Sequence, residues 1–345
     1  VETHVPERGD ITVSNLEIKL WNNKDREKVE SFVDILKTVF PESGHSADLF
    51  LWKHSLSPWG PSIVTYAEES TTGEIAAVRA FWRHQVRYHE KVLLAFQPCD
   101  TATHPDFRKQ GLFTKLTELA LEEAQKQKAS FVFNFPNPQS KPGYLKMGWH
   151  DMGRVITLVK PLNLRRILKH LLINRGKLGS FAPLKKVSGL GQESGSWVFE
   201  HLHATNKPAV AGTIRGARDG AMLDWRFLGH PDNAYEFIDC DSCSAIVRLG
   251  RRGRLRELLI VEPLFRTTKS YSMQLKDLCA FVKTTYSVDM ITVLFTKDHS
   301  FIRSFRKNGF YSVPNHINFV ALSLVETLNV SRLKWALTAC DIDTF

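Results

Sequence analysis

Tyr144 closes the segment N-P-Q-S-K-P-G-Y that begins at Asn137, and a phenol is a group that can hydrogen-bond a developing negative charge or donate a proton. Earlier, T-A-T-H-P-D-F-R-K-Q-G-L-F (101–113) closes a strand-like run and opens a helical one. Arg108 and Lys109 supply positive charge there, and Gly111 lets the backbone approach a ligand closely. A helix starting near Gly111 turns its unpaired N–H groups and positive dipole end into the same loop. The chemistry on offer is the binding of an anion such as a diphosphate. Asp100, beside this loop, is a carboxylate that can take a proton from an attacking group through water, provided burial raises its pKa.

These residues need elements to hold them. Thr101, Ala102 and Thr103 suit an extended segment that Pro105 stops. Leu112, Leu116, Leu119 and Ala120 recur at helical spacing. F-V-F-N-F (131–135) reads as a buried strand with Asn137 just past its C-terminal edge, and Pro142 and Gly148 bracket a short helix. A parallel strand pair with a crossover helix brings Asn137 and Tyr144 beside Thr101 to Thr103. Both ends then share one cleft.

These motifs resemble the GNAT acyltransferase superfamily. Its phosphate loop, Q/R-x-x-G-x-G/A, is met by Arg108 and Gly111, and Phe113 departs at the last position. Its second signature corresponds to Asn137, Ser140, Tyr144, Lys146, Gly148 and Trp149. The resemblance implies acyl-CoA as co-substrate, acetyl-CoA or a short-chain acyl-CoA, with no metal. Thr101, Ala102 and Thr103 would pair with the pantetheine arm, and Arg108, Lys109, Gln110, Gly111, Leu112 and Phe113 would hold the diphosphate. Asn137 would bind pantetheine, and Tyr144 would protonate the departing thiolate. Asp100 is the candidate base, with His54, His230 and Asp343 as further ones.

Length and composition agree with an enzyme of two domains: 345 residues, 43% hydrophobic. No apolar run approaches the ~20 residues of a membrane span, and no signal peptide is evident at the start of the sequence. Five scattered cysteines suit free thiols and a cytoplasmic location. Cys240-Asp241-Ser242-Cys243 lacks the second pair that a zinc site needs. The net charge of +10 suits polyanionic substrates. Basic residues do not interleave with aromatics and no nucleic-acid-binding motif appears, so nucleic acid is not the expected partner. Monomer and homodimer both stay open.

The expected architecture is α/β (α+β): two tandem GNAT-like domains, each a mixed, mostly antiparallel sheet flanked by helices. The divisions fall at 1–160 for the CoA-binding domain, 161–196 for a basic connector with an amphipathic helix, and 197–345 for a degenerate copy. In that copy Asp298 and Phe305 stand at the Asn and Tyr positions, and Pro263 to Lys269 contains no glycine. The second half therefore shapes the acceptor site and binds no CoA. Trp52, His54, Trp225, Arg226 and Tyr235 are the candidate acceptor contacts, the aromatics for stacking on a base or sugar and Arg226 for a phosphate. Similarity to tandem-domain GNAT proteins of surface-sugar biosynthesis implies N-acylation of a nucleotide-linked amino sugar. The alternatives are an antibiotic or peptide N-acetyltransferase and a non-catalytic CoA- or nucleotide-binding module.

Overall fold

The computed structural model describes residues 15–23, 25–41, 44–184, 212–231, 235–240, 243–265 and 270–343. Its first sheet begins as an antiparallel meander of β1 (Leu16–Leu20), β2 (Ile63–Glu69), β3 (Ile75–Tyr88) and β4 (Lys91–Thr103). Both faces of β3 are buried, which its run I-A-A-V-R-A-F-W allows. α1 (Glu27–Val39) lays Val29, Phe32, Val33 and Leu36 on the Trp82 face, beside α2 (Ala47–His54). Ser46 caps α2 by accepting from the Leu49 N–H at 3.1 Å. α3 (Leu112–Lys126) covers the opposite face, its Ala120 and Ala124 packed with Phe81 and Phe96. β5 (Phe131–Asn134) then joins β4 in parallel, and α4 (Lys141–Lys146) leads into β6 (His150–Arg154).

From here the chain changes sheets. β7 (Ile156–Pro161) crosses into the second sheet, and α5 (Leu164–Ile173), β8 (Ala182–Pro183), β9 (Thr213–Gly216) and α6 (Gly220–Leu223) follow. α6 runs on into a π-helical turn, Asp224–Leu228. β10 (Glu236–Cys240), β11 (Cys243–Arg252), β12 (Leu255–Phe265), α7 (Tyr271–Thr285), β13 (Met290–Phe295), α8 (Ile302–Lys307) and β14 (Tyr311–Val313) complete the second unit. β15 (Asn318–Ser323) returns to the first sheet, and β16 (Lys334–Trp335) pairs with β9, which is itself attached to β3.

The strand orders are β1-β2-β3-β4-β5-β15-β6 and β10-β11-β12-β13-β7-β14. Each sheet is thus completed by a strand from the other half of the sequence. The sheets consequently do not divide at residue 160: the I-T-L-V-K-P pattern of β7 specifies a strand but not its partners. The architecture otherwise is the mixed, mostly antiparallel α/β arrangement expected, with β12 and β13 repeating the parallel pair. Residues 185–196 of the expected connector and 197–211 of the expected second domain lie outside the described residues, as do 266–269 of the second loop.

In α5 Ile167 and His170 are buried, while Leu164, Leu168 and Leu172 are exposed. The apolar side of this amphipathic helix is thus only partly covered by the described residues. Cys240 and Cys243 pair at the ends of β10 and β11, their sulfurs 3.3 Å apart. No helix among the described residues is long and apolar enough to cross a membrane.

Candidate active site

The site is an opening between β4 and β5. These parallel strands are in register only at Ala95 with Phe131 and Phe96 with Val132. Beyond that point β4 stays with β3 and β5 stays with β15, so their C-terminal ends separate. A β-bulge lies at this end of β4, where Asp100 and Thr101 oppose the single residue Arg79. Asp100 takes a left-handed conformation there, φ 39°, uncommon for a non-glycine residue and a mark of imposed geometry.

On one side of the opening, α4 presents the buried Tyr144. Its hydroxyl accepts from Arg79 Nη2 and from Asn134 Nδ2, each at 2.7 Å. Burial pushes the phenol pKa up, and the neighbouring guanidinium pulls partly against it. The loop 108–111 and the start of α3 form the mouth. Arg108, Lys109, Gln110 and Gly111 are exposed, and Lys109 and Gly111 have φ of 65° and 75°. No side chain caps α3. Space in front of Gly111 is open, since a Cβ there would meet nothing within 4 Å. Backbone donors are therefore available to an anion. Asn137 ties the approach to α4 together: its Oδ1 accepts from the Gln139 and Ser140 N–H groups at 3.0 and 2.8 Å. Its Nδ2 donates to no described residue.

Phe113 accounts for the departure from the phosphate-loop pattern. Its ring stands edge-on to Tyr144, centroids 5.4 Å apart, and covers the Arg79 guanidinium at 4.4 Å. Gly143 makes room for it, because a Cβ at Gly143 would sit 3.0 Å from the ring.

On the other side lies a buried charged cluster. Lys53 Nζ is 2.9 Å and His54 Nε2 2.7 Å from Asp100 Oδ2, and His54 Nδ1 is 2.9 Å from Ser62 Oγ. Burial alone would raise the Asp100 carboxyl, but Lys53 and then His54 outweigh it and hold Asp100 well below the ordinary range. A carboxylate so held is a weak base, which departs from the role expected of Asp100. Burial lowers His54, so its imidazole is neutral. With Nε2–H given to Asp100, its Nδ1 accepts from Ser62. His54, Cys99 and Asp100 present ligand atoms within 4.8 Å of one another, and Lys53 already supplies the carboxylate's counter-charge. Asp343, 3.8 Å from Lys53, differs: burial raises its carboxyl.

Apart from His54, the expected acceptor contacts are packed against other side chains. Trp52 and Trp225 stack on each other, centroids 4.4 Å apart, and each indole N–H donates to the other's backbone carbonyl at 3.2 and 3.1 Å. Arg226 is buried, donates to the Ile342 carbonyl at 3.0 Å and lies over the Trp82 ring. Tyr235 packs on Phe227 and under Arg248. The Trp52–Trp225 stack joins α2 to the π-helical turn; Trp52 and Arg226 are buried, and Trp225 and Tyr235 are half-buried. Large apolar faces of this kind gain more from mutual burial than from waiting for a ligand. Arg79, Asn134 and Lys53 were not among the expected site residues. A charge inside the apolar run of β3 is the sign that pointed to Arg79.

Residues 22–152 match the family model described as an acetyltransferase (GNAT) domain. No curated relative matches the sequence. Among solved structures, the chain is similar to a GCN5-related N-acetyltransferase from Anabaena variabilis, with TM-score 0.62, 13% identity, and 90% of this chain and 73% of that one covered. It is similar to a probable N-acyltransferase from Enterococcus faecalis, with TM-score 0.60, 14% identity, and 90% and 72% covered. It is also similar to Saccharomyces cerevisiae N-myristoyltransferase with bound myristoyl-CoA, with TM-score 0.57, 11% identity, and 92% and 85% covered. At these identities the likeness is one of fold, and it extends over both sheets. The domain match and the opening that holds Tyr144 agree: residues 22–152 carry a GNAT acetyltransferase domain, and the chain is an acyl-CoA-dependent N-acyltransferase.

Proposed function

We propose that this enzyme acylates the primary amine of a nucleotide-linked amino sugar in the cytoplasm. The CoA diphosphate lies on loop 108–111 and the start of α3, and pantetheine runs along Thr101 to Thr103 past Asn137. The neutral amine attacks the thioester carbonyl, the C–S bond breaks, and Tyr144 gives its hydroxyl proton to sulfur. The observation that carries this reading is the position of Tyr144, its hydroxyl 2.7 Å from Asn134 of β5 and from Arg79, which reaches Thr101 of β4. Asp343 suits the base role better than Asp100, because its carboxyl is raised and not depressed. The surplus of positive charge, +10, favours a phosphate-bearing acceptor. Five free cysteines suit a reducing compartment.

Mass spectrometry of products from a panel of acyl-CoAs and amine acceptors tests the reading. Turnover of a nucleotide amino sugar that Asp343→Asn slows more than Asp100→Asn is the expected result. Strong turnover of an aminoglycoside or a peptide amine, with none of nucleotide amino sugars, overturns the acceptor assignment.

A further inference from the structure

Arg79 is fully buried on β3 and carries its charge with no carboxylate partner among the described residues. Its Nη1 donates to Thr101 Oγ1 at 3.3 Å, its Nη2 donates to the Tyr144 hydroxyl, and its Nε meets no acceptor among them. Burying an unpaired cation is costly, so such a group is retained where something else uses the charge. Two other buried cations contrast with it: Arg218 has Asp341 on both Nη atoms at 2.9 Å, and Lys53 has Asp100.

The Tyr144 hydroxyl explains the use. A phenol oxygen can accept hydrogen bonds and has one proton to give. Here both contacts are donors to it: the Arg79 guanidinium can only donate, and the Asn134 amide is fixed in orientation. Asn134 Oδ1 accepts the Phe135 N–H at 2.8 Å, which turns Nδ2 toward the phenol. With its acceptor capacity occupied, the hydroxyl proton is left without an acceptor among the described residues. Phe113 closes over the guanidinium and shields it from competing water.

We infer that Arg79 is a positioning residue that, with Asn134, aims the Tyr144 proton at the CoA sulfur and supplies the counter-charge for the thiolate that forms there. This rests on the reading of Tyr144 as the proton donor. In the step, the amine lone pair forms the C–N bond and the C–S electron pair stays on sulfur. Sulfur takes the Tyr144 proton, the amine's surplus proton passes to a carboxylate or water, and water reprotonates the phenolate once CoA leaves. Arg79 is unchanged throughout.

The test needs no acceptor. Calorimetry at pH 8 compares the affinity for CoA with that for desulfo-CoA, which lacks only the sulfur. A charge-assisted contact to sulfur gives wild-type protein about a tenfold preference for CoA, and Arg79→Met reduces it to about twofold. Arg79→Lys keeps the charge and restores part of the preference. A merely structural role for Arg79 would weaken both ligands equally. Tyr144→Phe also loses the preference, and adding Arg79→Met to it lowers the ratio no further, because the two act as one unit. The inference is overturned if Arg79→Met keeps the wild-type ratio, or if it lowers the ratio as much in the Tyr144→Phe background as in wild type. If instead Tyr144→Phe keeps both the ratio and wild-type turnover of acetyl-CoA with an amine acceptor, the proton-donor reading itself fails.

Discussion

The two halves contain the same parallel strand pair and treat its open end in opposite ways. In the first, β4 and β5 hold register for two residue pairs and part around polar groups: Thr101, Arg79, Asn134 and Tyr144. In the second, β12 and β13 stay in register for four, from Glu257 with Met290 to Ile260 with Val293. The chain's own C-terminal segment occupies the space beyond: Leu337 bonds to Thr296, Thr338 bridges Phe295 and bonds to Glu262, and Asp341 takes Arg218. At the Tyr144 position stands Phe305, fully buried against Phe295 and Phe310. The following helices differ likewise. α3 leaves its N-terminus uncapped at Gly111, whereas Ser270 caps α7 by accepting from Met273 at 3.3 Å. Among the described residues one helix start is left without a side-chain cap, and the other is capped.

Three experiments would break or sharpen that contrast. The largest effect is on turnover. Tyr144→Phe should lower kcat about 10²–10³-fold with little change in KM for acyl-CoA, the usual range for losing a general acid. Phe305→Tyr should bring no turnover of its own and cost about 1–3 kcal/mol in urea unfolding, from a hydroxyl without a partner. Equal kinetic effects at both positions would mean the second opening is not closed.

Next comes the plug. Asp341→Ala leaves the buried Arg218 with Glu262 and should cost about 3 kcal/mol in urea unfolding, as removal of one member of a buried pair does. Asp151→Ala, which breaks the more exposed pair with Lys141, should cost under about 1 kcal/mol. Similar losses at both sites would deny the plug a structural role.

The smallest effect concerns pH and should be equal in the two halves. His84 in the first and His299 in the second are buried, and burial lowers each to about 3. Unfolded, each titrates near 6.5, so between those values the unfolded chain binds more protons and stability falls as pH falls. Each imidazole contributes about 1.4 kcal/mol per pH unit across that window. His84→Gln and His299→Gln should each flatten the slope of stability between pH 6 and pH 4 by that amount, read from urea midpoints. A slope unchanged by one of them would show that its imidazole is protonated in the folded state.

What the sequence revealed was local. Loop 108–111, the start of α3 and the Asn137-to-Tyr144 spacing depend on residues close in the chain, and all lie together in the structure. What it concealed was partnership. Ile156–Pro161 and Asn318–Ser323 form strands, yet nothing within either segment states which sheet receives it. Trp225 and Arg226 have the chemistry of ligand contacts, and only the distant Trp52, Trp82 and Ile342 explain why Trp225 is half-buried and Arg226 packed inside. Arg79 was half visible: its charge breaks an apolar alternation, but its neighbours Phe113 and Tyr144 come from two later helices.

The exchanged strands set a schedule for biosynthesis. β5 needs β15 as a neighbour, and β15 leaves the ribosome about 180 residues later, roughly 10–40 s at ordinary translation rates. Through that interval the first sheet exposes an unpaired edge, a template for pairing with other chains. A truncation anywhere before residue 318 would make the exposure permanent, so the amino-terminal half expressed alone should aggregate even though it contains the whole of loop 108–111 and Tyr144.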